Sequence, residues 1–383
     1  MSRTALVLGA GLGGMVAAQA LRRCLPRSDR VVLVEREERH VFPPSLLWVM
    51  VGERTAGAIS RPVEHALRAG IELVRGDVTA LDPAARTVSV GPRNLRGDAI
   101  VVALGAEYAP QAIPGLAEAG LCIYTLEGAT AIRDALAGFE AGRLVVLTAT
   151  PQYKCPAAPY EAALLVDSYL RARGRRDRIS MDFYAAEPGP MMVAGAAVSA
   201  GVRTMIESRG MRYHPEHQVR AVNPAARQIE FASGATAGFD LLLYVPPHRA
   251  CAAVREAGLT NESGWVPVDR HTLATQHPGV YALGDITVIP LKMGRPLPKA
   301  GVFAHGQAEV VAHNIACEWT GKGEPKRFEG NGMCFIETGG GRAGMGRGNF
   351  YAEPLPEVNL HQPGILWHGA KLLYEKYWLY ARF

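Results

Sequence analysis

Three glycines follow the first apolar stretch of the chain at the spacing Gly9-x-Gly11-x-x-Gly14, and Glu35 comes about 20 residues later. In a turn between a strand and a helix, the first glycine makes the turn, the second lets the backbone approach a pyrophosphate, and the third allows close helix packing. A carboxylate at the end of the next strand accepts hydrogen bonds from ribose hydroxyls. These residues predict a dinucleotide site for either NAD or FAD.

A second motif separates these two cofactors. Residues 279–285 form an apolar stretch that ends in Gly284 and Asp285. This stretch resembles the second FAD motif of flavoprotein reductases with two dinucleotide domains, whose aspartate binds the ribitol chain. We therefore predict FAD as the cofactor, and we assign Gly105, at the end of the apolar residues 99–105, to the same site. The resemblance also places Lys299 near the isoalloxazine, with a solvated loop lysine as the alternative.

Six cysteines are spread along the chain without a CxxC or a Cys/His pair at metal-ligand spacing, so we predict neither a metal site nor a disulfide framework. Cys155 precedes a helix predicted to begin near Pro159. The helix dipole and Lys154 are expected to favour its thiolate form.

The loop at residues 149–155 has no glycine, although it follows an apolar strand at residues 144–148. An enzyme that uses NADH would need a second glycine turn here. We therefore expect no nicotinamide nucleotide to bind at this loop.

The order of the predicted elements indicates an α/β fold with two Rossmann-like domains. Residues 4–35 are predicted to form a βαβ unit, and the apolar pattern of the first domain returns near residue 280. We predict a discontinuous FAD-binding domain at residues 1–108 and 265–320. A second Rossmann-like domain is predicted at residues 109–264, and a C-terminal membrane-associating region at residues 321–383.

Composition narrows the possible partners. The chain is 48% apolar and 20% charged, which is typical of a globular protein. Its net charge of +5 comes from scattered basic residues, so we predict no nucleic-acid partner. We expect no Sec signal peptide. No apolar run reaches the roughly 18 residues of a spanning helix, which leaves peripheral membrane association.

These features together resemble the sulfide:quinone oxidoreductase family, with the flavin subunit of flavocytochrome c sulfide dehydrogenase as a close relative. Four segments carry the resemblance, namely residues 155–161, Gly284-Asp285 with Pro298-Lys299, the pair Cys334-Phe335, and residues 375–379. The resemblance implies an enzyme that oxidises sulfide and reduces a membrane quinone.

The resemblance also implies the catalytic residues. Cys155 and Cys334 would form a redox-active disulfide near the flavin, on which sulfide acts before two electrons pass to FAD. Glu161 would handle protons near the sulfur pocket, with a helix-capping or ion-pair role as the alternative. Cys122 is expected to be a core thiol. A histidine that some members of the family carry has no counterpart at residues 189–194, so the identity of the base stays open.

The last residues, 365–383, combine aromatic and aliphatic side chains with Lys371, Lys376 and Arg382. Such a segment is typical of a helix that lies in the lipid interface, where it would bring quinone towards the flavin. The alternative is a helix that docks into a neighbouring subunit, and we also expect a homo-oligomer.

Three other functions are the alternatives to this prediction. A flavocytochrome c subunit would pass electrons to a haem partner, and a type II NADH:quinone reductase would need the missing glycine turn. A flavin-binding redox sensor would need no quinone site.

Overall fold

The computed structural model describes residues 2–383, whose first sheet contains five parallel strands. In spatial order these strands are Val280–Ala282, Ala99–Val102, Thr4–Leu8, Arg30–Glu35 and Ile71–Arg75. The three central strands are almost wholly buried apolar residues, as expected for a parallel sheet that is covered on both faces. Because one strand comes from near residue 280, this sheet is built from two separate stretches of chain.

The second sheet is also parallel and has five strands. Their spatial order is Leu121–Cys122, Leu241–Val245, Gly142–Thr148, Ile179–Ala185 and Arg212–His214. The predicted α/β class with two Rossmann-like sheets is therefore confirmed. The domain boundaries given above stay predictions.

Two long helices pack on the first sheet and meet each other. Leu12–Cys24 connects the first two strands, and Gly301–Thr320 lies against it. Gly13 allows this approach, because a Cβ there would lie only 3.2 Å from the Cβ and 3.4 Å from the backbone oxygen of Ala304 in the second helix. The second sheet carries the helices Leu126–Gly138, Ala158–Ala172 and Ala196–Glu207.

The C-terminal part is an antiparallel sheet followed by a helix. Its strands are Asn331–Gly339, Arg342–Asn349 and Glu357–Gly364. Gly339 has a φ of 77°, and a Cβ there would collide with Ser168 of the helix Ala158–Ala172, so the sheet is held closely against that helix. The segment that we call the tail follows, with the α-helix Ile365–Lys376 and the π-helical turn Tyr377–Ala381.

The remaining elements are short. Two three-stranded antiparallel ladders are formed by Val78–Asp82, Thr87–Val90 and Arg93–Arg96, and by Val219–Asn223, Gln228–Phe231 and Thr236–Gly238. Three two-stranded pairs join Arg39–Val41 to Ser60–Pro62, Glu107–Tyr108 to His248–Arg249, and Val266–Pro267 to Thr287–Val288. The short α-helices are Leu46–Met50, Leu116–Ala119 and Ala252–Glu256.

No helix within residues 2–383 has the length and apolar character needed to cross a bilayer.

Candidate active site

The glycine turn has the geometry that phosphate binding requires. Gly9 has a φ of 97°, which favours glycine, and a Cβ on Gly14 would collide with the Gly9 carbonyl oxygen. Gly11 is different, because a Cβ there would meet no atom within 4 Å. It stands directly before the helix Leu12–Cys24, whose free N–H groups favour an anion. The open space at Gly11 therefore fits the pyrophosphate of a dinucleotide.

Glu35 lies at the end of the second strand and faces this turn. Its carboxylate accepts hydrogen bonds from the backbone N–H of Ala10 at 2.5 Å and of Glu37 at 2.8 Å. These donors hold the carboxylate at the edge of the turn, where it can accept further hydrogen bonds from ribose hydroxyls.

Asp285 and Lys299 lie at the same carboxyl end of the first sheet, beyond its edge strand Val280–Ala282, which is parallel to Thr4–Leu8. Within residues 2–383, the carboxylate of Asp285 accepts no hydrogen bond, so it is available to a ligand hydroxyl. Lys299 donates to the backbone oxygens of Asp285 and Thr287, both at 2.7 Å, and lies 3.5 Å from the centre of the Trp265 ring. Burial lowers the pKa of Lys299 to about 7 despite the opposing charge of Asp285. Lys299 is thus fixed by the fold and is not a solvated loop lysine.

Gly105 is also suited to close ligand approach. It has a φ of 68°, and a Cβ there would meet no atom within 4 Å. Gly11 and Gly105 therefore present open space, and Glu35 and Asp285 present acceptors, of the kind that FAD requires.

Cys155 and Cys334 come together from distant parts of the chain. Cys155 lies just before the helix Ala158–Ala172 and has a φ of 47°, and its N–H donates to the Lys299 carbonyl at 2.6 Å. Cys334 lies in the strand Asn331–Gly339, which packs along that helix. Both thiols are free, and the Cys334 thiol, which donates to the Phe335 carbonyl at 3.5 Å, is also within reach of Cys155, so that each thiol shifts the pKa of the other.

The two thiols differ in acidity. The hydrogen bond from Cys334 lowers the pKa of Cys155, against the effect of burial, and the charge of Lys371 acts in the same direction. The same hydrogen bond, together with burial, raises the pKa of Cys334 well above its usual value. Cys155 is therefore the more acidic thiol of the pair, and Cys334 is the one that keeps its proton to higher pH.

Lys154 is charged and interacts with Cys155. Its ammonium lies 4.8 Å from the centre of the Tyr108 ring. Burial lowers the pKa of Lys154, but Tyr108, Asp285 and the thiolate of Cys155 outweigh that effect and keep it charged. Lys371 is a second cation that favours the thiolate of Cys155.

Glu161 lies beneath the cysteine pair, where it forms a buried ion pair with Lys371 of the tail. Burial raises the pKa of Glu161 to about 7, in opposition to Lys371. Burial alone would lower the pKa of Lys371, but the carboxylates of Glu161 and Glu337 raise it. Glu161 is thus an ion-pair residue, as the alternative role proposed, with a pKa at which it can also exchange a proton near neutral pH.

Glu337 and His368 lie beside the ion pair of Glu161 and Lys371. His368 of the tail approaches the buried carboxylate of Glu337, with its Nδ1 at 3.1 Å from Oε1 and 2.9 Å from Oε2. Sequence reasoning missed both residues. Glu337 lies three positions after Cys334, and His368 three positions before Lys371, but nothing local indicates that the two segments meet.

The structure of the tail shows that the predicted position of Lys371 is wrong. Lys371 was predicted to lie on the basic edge of a lipid-facing helix, but it is only 5% exposed and points into the protein. Glu375 is also buried, where it accepts hydrogen bonds from Ser45 at 2.6 Å and Arg54 at 2.9 Å. Trp378 is buried too, and its indole N–H donates to His40 at 2.9 Å. One face of the tail is therefore part of the protein core.

The second sheet carries a closed polar cluster where a nicotinamide nucleotide would bind. Glu187 follows the strand Ile179–Ala185, and its carboxylate accepts hydrogen bonds from Thr148 and Tyr160, both at 2.7 Å, and from Tyr153. A carboxylate at the end of the second strand of a Rossmann unit binds ribose only if it is free to accept. Here the carboxylate of Glu187 already accepts hydrogen bonds from three protein hydroxyls, so it is not free to bind a ribose.

Comparison with known proteins gives the class. Residues 3–149 and 180–308 match the family model described as pyridine nucleotide-disulphide oxidoreductase, which is well over half of the chain. The chain belongs to this family, and it is an FAD-dependent oxidoreductase. Residues 150–179, which contain Cys155 and Glu161, lie outside the match.

Within this class, the chain is similar to sulfide:quinone oxidoreductases. The mitochondrial sulfide:quinone oxidoreductase of Mus musculus is 25% identical over 369 residues, which cover 91% of this chain and 79% of the mouse protein. The sulfide-quinone reductase of Aquifex aeolicus is 26% identical over 398 residues, which cover 99% of this chain and 91% of the relative. The X-ray structure of the Aquifex aeolicus sulfide:quinone oxidoreductase matches with a TM-score of 0.89 at 25% identity, over 100% of this chain and 91% of that one. The resemblance found in the sequence is confirmed.

Proposed function

We propose that this chain is a sulfide:quinone oxidoreductase, in which Cys155 and Cys334 carry the sulfur chemistry. The observation that carries the proposal is the meeting of these two thiols next to the buried Glu161 and the Lys299 loop. A pair of thiols with opposite pKa shifts is suited to cycle between a dithiol and a disulfide.

The acidity of the two thiols indicates which sulfur is attacked. In the disulfide form, hydrosulfide attacks one sulfur, and the other leaves as a thiolate. Since a thiol of lower pKa leaves faster, Cys155 is the leaving group and Cys334 receives the persulfide. The new S–S bond on Cys334 replaces the one that breaks, so atoms and electrons balance. Lys371 stabilises the thiolate that forms on Cys155.

The residues that would hold FAD are Gly9, Gly11, Gly14, Glu35, Gly105, Gly284, Asp285 and Lys299. Gly284 is fixed by a hydrogen bond of 2.8 Å from its backbone N–H to Gln307. When bound, FAD supplies two-electron redox chemistry between the cysteine pair and the quinone. Lys299, with a pKa of about 7, is placed to carry positive charge near that cofactor.

The closed cluster at Glu187 supports sulfide over NADH as the electron donor. A nicotinamide nucleotide would have to displace three hydroxyl donors from this carboxylate, and the loop at residues 149–155 offers no glycine turn in return. A type II NADH:quinone reductase and a redox sensor are therefore the less supported alternatives.

A steady-state assay tests the proposed function. The FAD-loaded protein is expected to reduce a short-chain ubiquinone with sulfide as the donor, and NADH at the same concentration should give no rate above background. Quinone absorbance measures both reactions. A protein that turns over with NADH and not with sulfide would contradict the proposal.

We further propose that the tail is the membrane contact. Its outward face carries large apolar side chains that are mostly exposed, namely Ile365, Leu366, Leu373, Tyr377 and Tyr380. This face lies opposite the buried Lys371, Glu375 and Trp378, so the side of the tail that faces outward is more apolar than the side that faces the protein. An exposed apolar stripe with aromatic and basic edges suits the lipid interface. A second subunit could cover the same stripe, and the predicted homo-oligomer stays a prediction.

Leu373→Glu is expected to weaken membrane binding with little effect on folding, because Leu373 is 72% exposed. Burial of one leucine contributes about 1.5–3 kcal/mol, so partition into vesicles of phosphatidylcholine and phosphatidylglycerol should fall by about tenfold or more. Vesicle co-sedimentation measures the change.

Ala235→Glu is the matched control, because it adds the same charge at an exposed position outside the tail, between the strands Gln228–Phe231 and Thr236–Gly238. This variant should bind vesicles like the unchanged protein. Equal binding by Leu373→Glu would show that the tail is not the contact. Deletion of residues 365–383 is a poor test, because it would remove Trp378 and Glu375 from the core.

A further inference from the structure

The cysteine pair has a proton to lose in every cycle. When the dithiol returns to the disulfide, the proton on Cys334 must leave before its sulfur can attack or be oxidised. Cys155 and Cys334 are each partly buried, and burial raises the pKa of each. The charge of the buried Glu161 carboxylate also raises the pKa of both thiols, so Glu161 lies close enough to the pair to be an acceptor for this proton.

A series of titratable groups leads away from Glu161, joined by two ion pairs and, between them, by the interaction of the charges of Lys371 and Glu337. Lys371 pairs with Glu161, and the charges of Glu161 and Glu337 both act on Lys371. The backbone N–H of Glu337 also stabilises the Glu161 carboxylate. Glu337 is 1% exposed, so it has no direct contact with solvent.

The series reaches the surface at His368. Its Nδ1 lies 2.9 Å from Glu337, and 22% of its side chain is exposed. Other groups around it are Glu53, whose charge acts on His368, Arg54, which pairs with Glu375, and the ring of Trp48. Among the titratable groups of this series, His368 is the one that joins a buried carboxylate to solvent.

We propose that Glu337 and His368 form the proton outlet of the cysteine pocket, an inference that rests on the redox pair of the proposed function. The outlet opens on the tail, next to the apolar stripe proposed to face the membrane.

Each proton transfer in this route is balanced. Cys334 gives its proton to the Glu161 carboxylate. Glu161 passes a proton to Lys371 while the Lys371 ammonium gives one to Glu337, so the lysine stays charged. Glu337 then protonates His368 at Nδ1, and the imidazolium releases a proton to solvent from Nε2.

The outlet can be tested without sulfide. In the FAD-loaded chain with reduced cysteines, the Cys155 thiolate attacks 4,4′-dithiodipyridine and forms a mixed disulfide with release of one thiopyridone. Cys334 then loses its proton and closes the Cys155–Cys334 disulfide, which releases the second thiopyridone. Acid quenching and peptide mass spectrometry follow the conversion of the mixed disulfide, so the other cysteines do not interfere.

His368→Ala should slow this closure by about tenfold or more, since proton transfer by a positioned side chain typically contributes about 10²–10⁴-fold. Added imidazole should restore the rate, because it can occupy the space left by the side chain. Glu337→Gln should slow closure without rescue by imidazole. His361→Ala is the matched control, because His361 is exposed and lies on Trp367 outside the series.

The native rate should rise with pH as Glu161, with a pKa of about 7, loses its proton and becomes able to accept one. Unchanged closure in His368→Ala and Glu337→Gln would overturn the proposal. Slowing in His368→Ala that imidazole does not restore would also overturn it, because that result indicates a structural role. If sulfide fails to bleach the native flavin while the imidazole rescue is seen, the proposed function fails and the outlet stands.

Discussion

Replacement of Cys155 or Cys334 by serine is expected to abolish sulfide-dependent bleaching of the flavin while FAD binding is retained. Serine keeps the size of the side chain, but its hydroxyl stays protonated at neutral pH and forms no disulfide. Loss of a nucleophile should lower the rate of bleaching by about 10³-fold or more. Stopped-flow absorbance of the flavin band measures the rate, and dithionite should still bleach every variant.

Cys24→Ser and Cys251→Ser are the controls for this experiment. Cys24 is exposed at the end of the helix Leu12–Cys24, and burial raises the pKa of Cys251, so neither is part of the pair. Both variants should bleach at the native rate. Rapid bleaching of both Cys155→Ser and Cys334→Ser by sulfide would show that the reaction does not use this pair.

The variants Cys334→Ala and Cys155→Ser should also differ from each other in the reactivity of the remaining thiol. Cys334→Ala removes the donor of the hydrogen bond that lowers the pKa of Cys155, so the alkylation of Cys155 by iodoacetamide should require a higher pH. Cys155→Ser leaves a thiol at residue 334 without the thiolate neighbour that raised its pKa, so that thiol should become easier to alkylate. A rise in the pKa of Cys155 in one variant and a fall in the pKa of Cys334 in the other are expected if the two sulfurs share one proton.

The dinucleotide turn could be predicted from sequence because its signal is local. A strand, three glycines, a helix and Glu35 lie within one βαβ unit, and the conformation of each glycine follows from that unit alone. The parallel sheets followed from buried strand patterns for the same reason. The cysteine pair had no such signal, and its prediction depended on family resemblance.

The polar series beneath the cysteines could not be predicted, because it joins three segments that are distant in sequence. Glu161, Glu337 and Lys371 each lie on a different element, and only tertiary packing brings them together. A carboxylate and a lysine on amphipathic elements are ordinarily solvated. Their burial shows only when the C-terminal sheet is placed against the helix Ala158–Ala172.

The orientation of the tail could have been predicted more closely. At about 100° per residue, Lys371, Glu375 and Trp378 share one face of a helix, and Leu366, Leu373 and Tyr377 share the opposite one. An ordinary amphipathic interpretation assigns the charged face to solvent. The structure reverses this assignment, because Lys371 and Glu375 find partners of opposite charge inside the protein.

Gly11→Leu is expected to remove FAD from the protein without loss of the fold. Gly11 has φ and ψ of −67° and −172°, a conformation open to any residue, and a side chain there would meet no protein atom within 4 Å. The leucine would instead occupy the space into which the pyrophosphate must come, at the N-terminus of the helix Leu12–Cys24. Gly14 is unsuitable for this test, because a side chain there would collide with the Gly9 backbone.

We expect the affinity for FAD to fall by about 100-fold or more, which corresponds to about 2.8 kcal/mol, since each 1.4 kcal/mol is tenfold. Flavin absorbance per chain after gel filtration measures the loss, and circular dichroism checks the fold. The thermal midpoint of Gly11→Leu should match that of the native protein stripped of FAD, because a ligand that binds only the folded state adds stability only when it is present.

Gly138→Leu is the matched control, since Gly138 is exposed at the end of the helix Leu126–Gly138 and also has no atom within 4 Å of a Cβ. This variant should stay yellow and keep the thermal midpoint of the FAD-loaded protein. A yellow, active Gly11→Leu protein would place the pyrophosphate elsewhere. Because Glu35 and Asp285 are assigned to FAD relative to that same turn, their assignments would then fail with it.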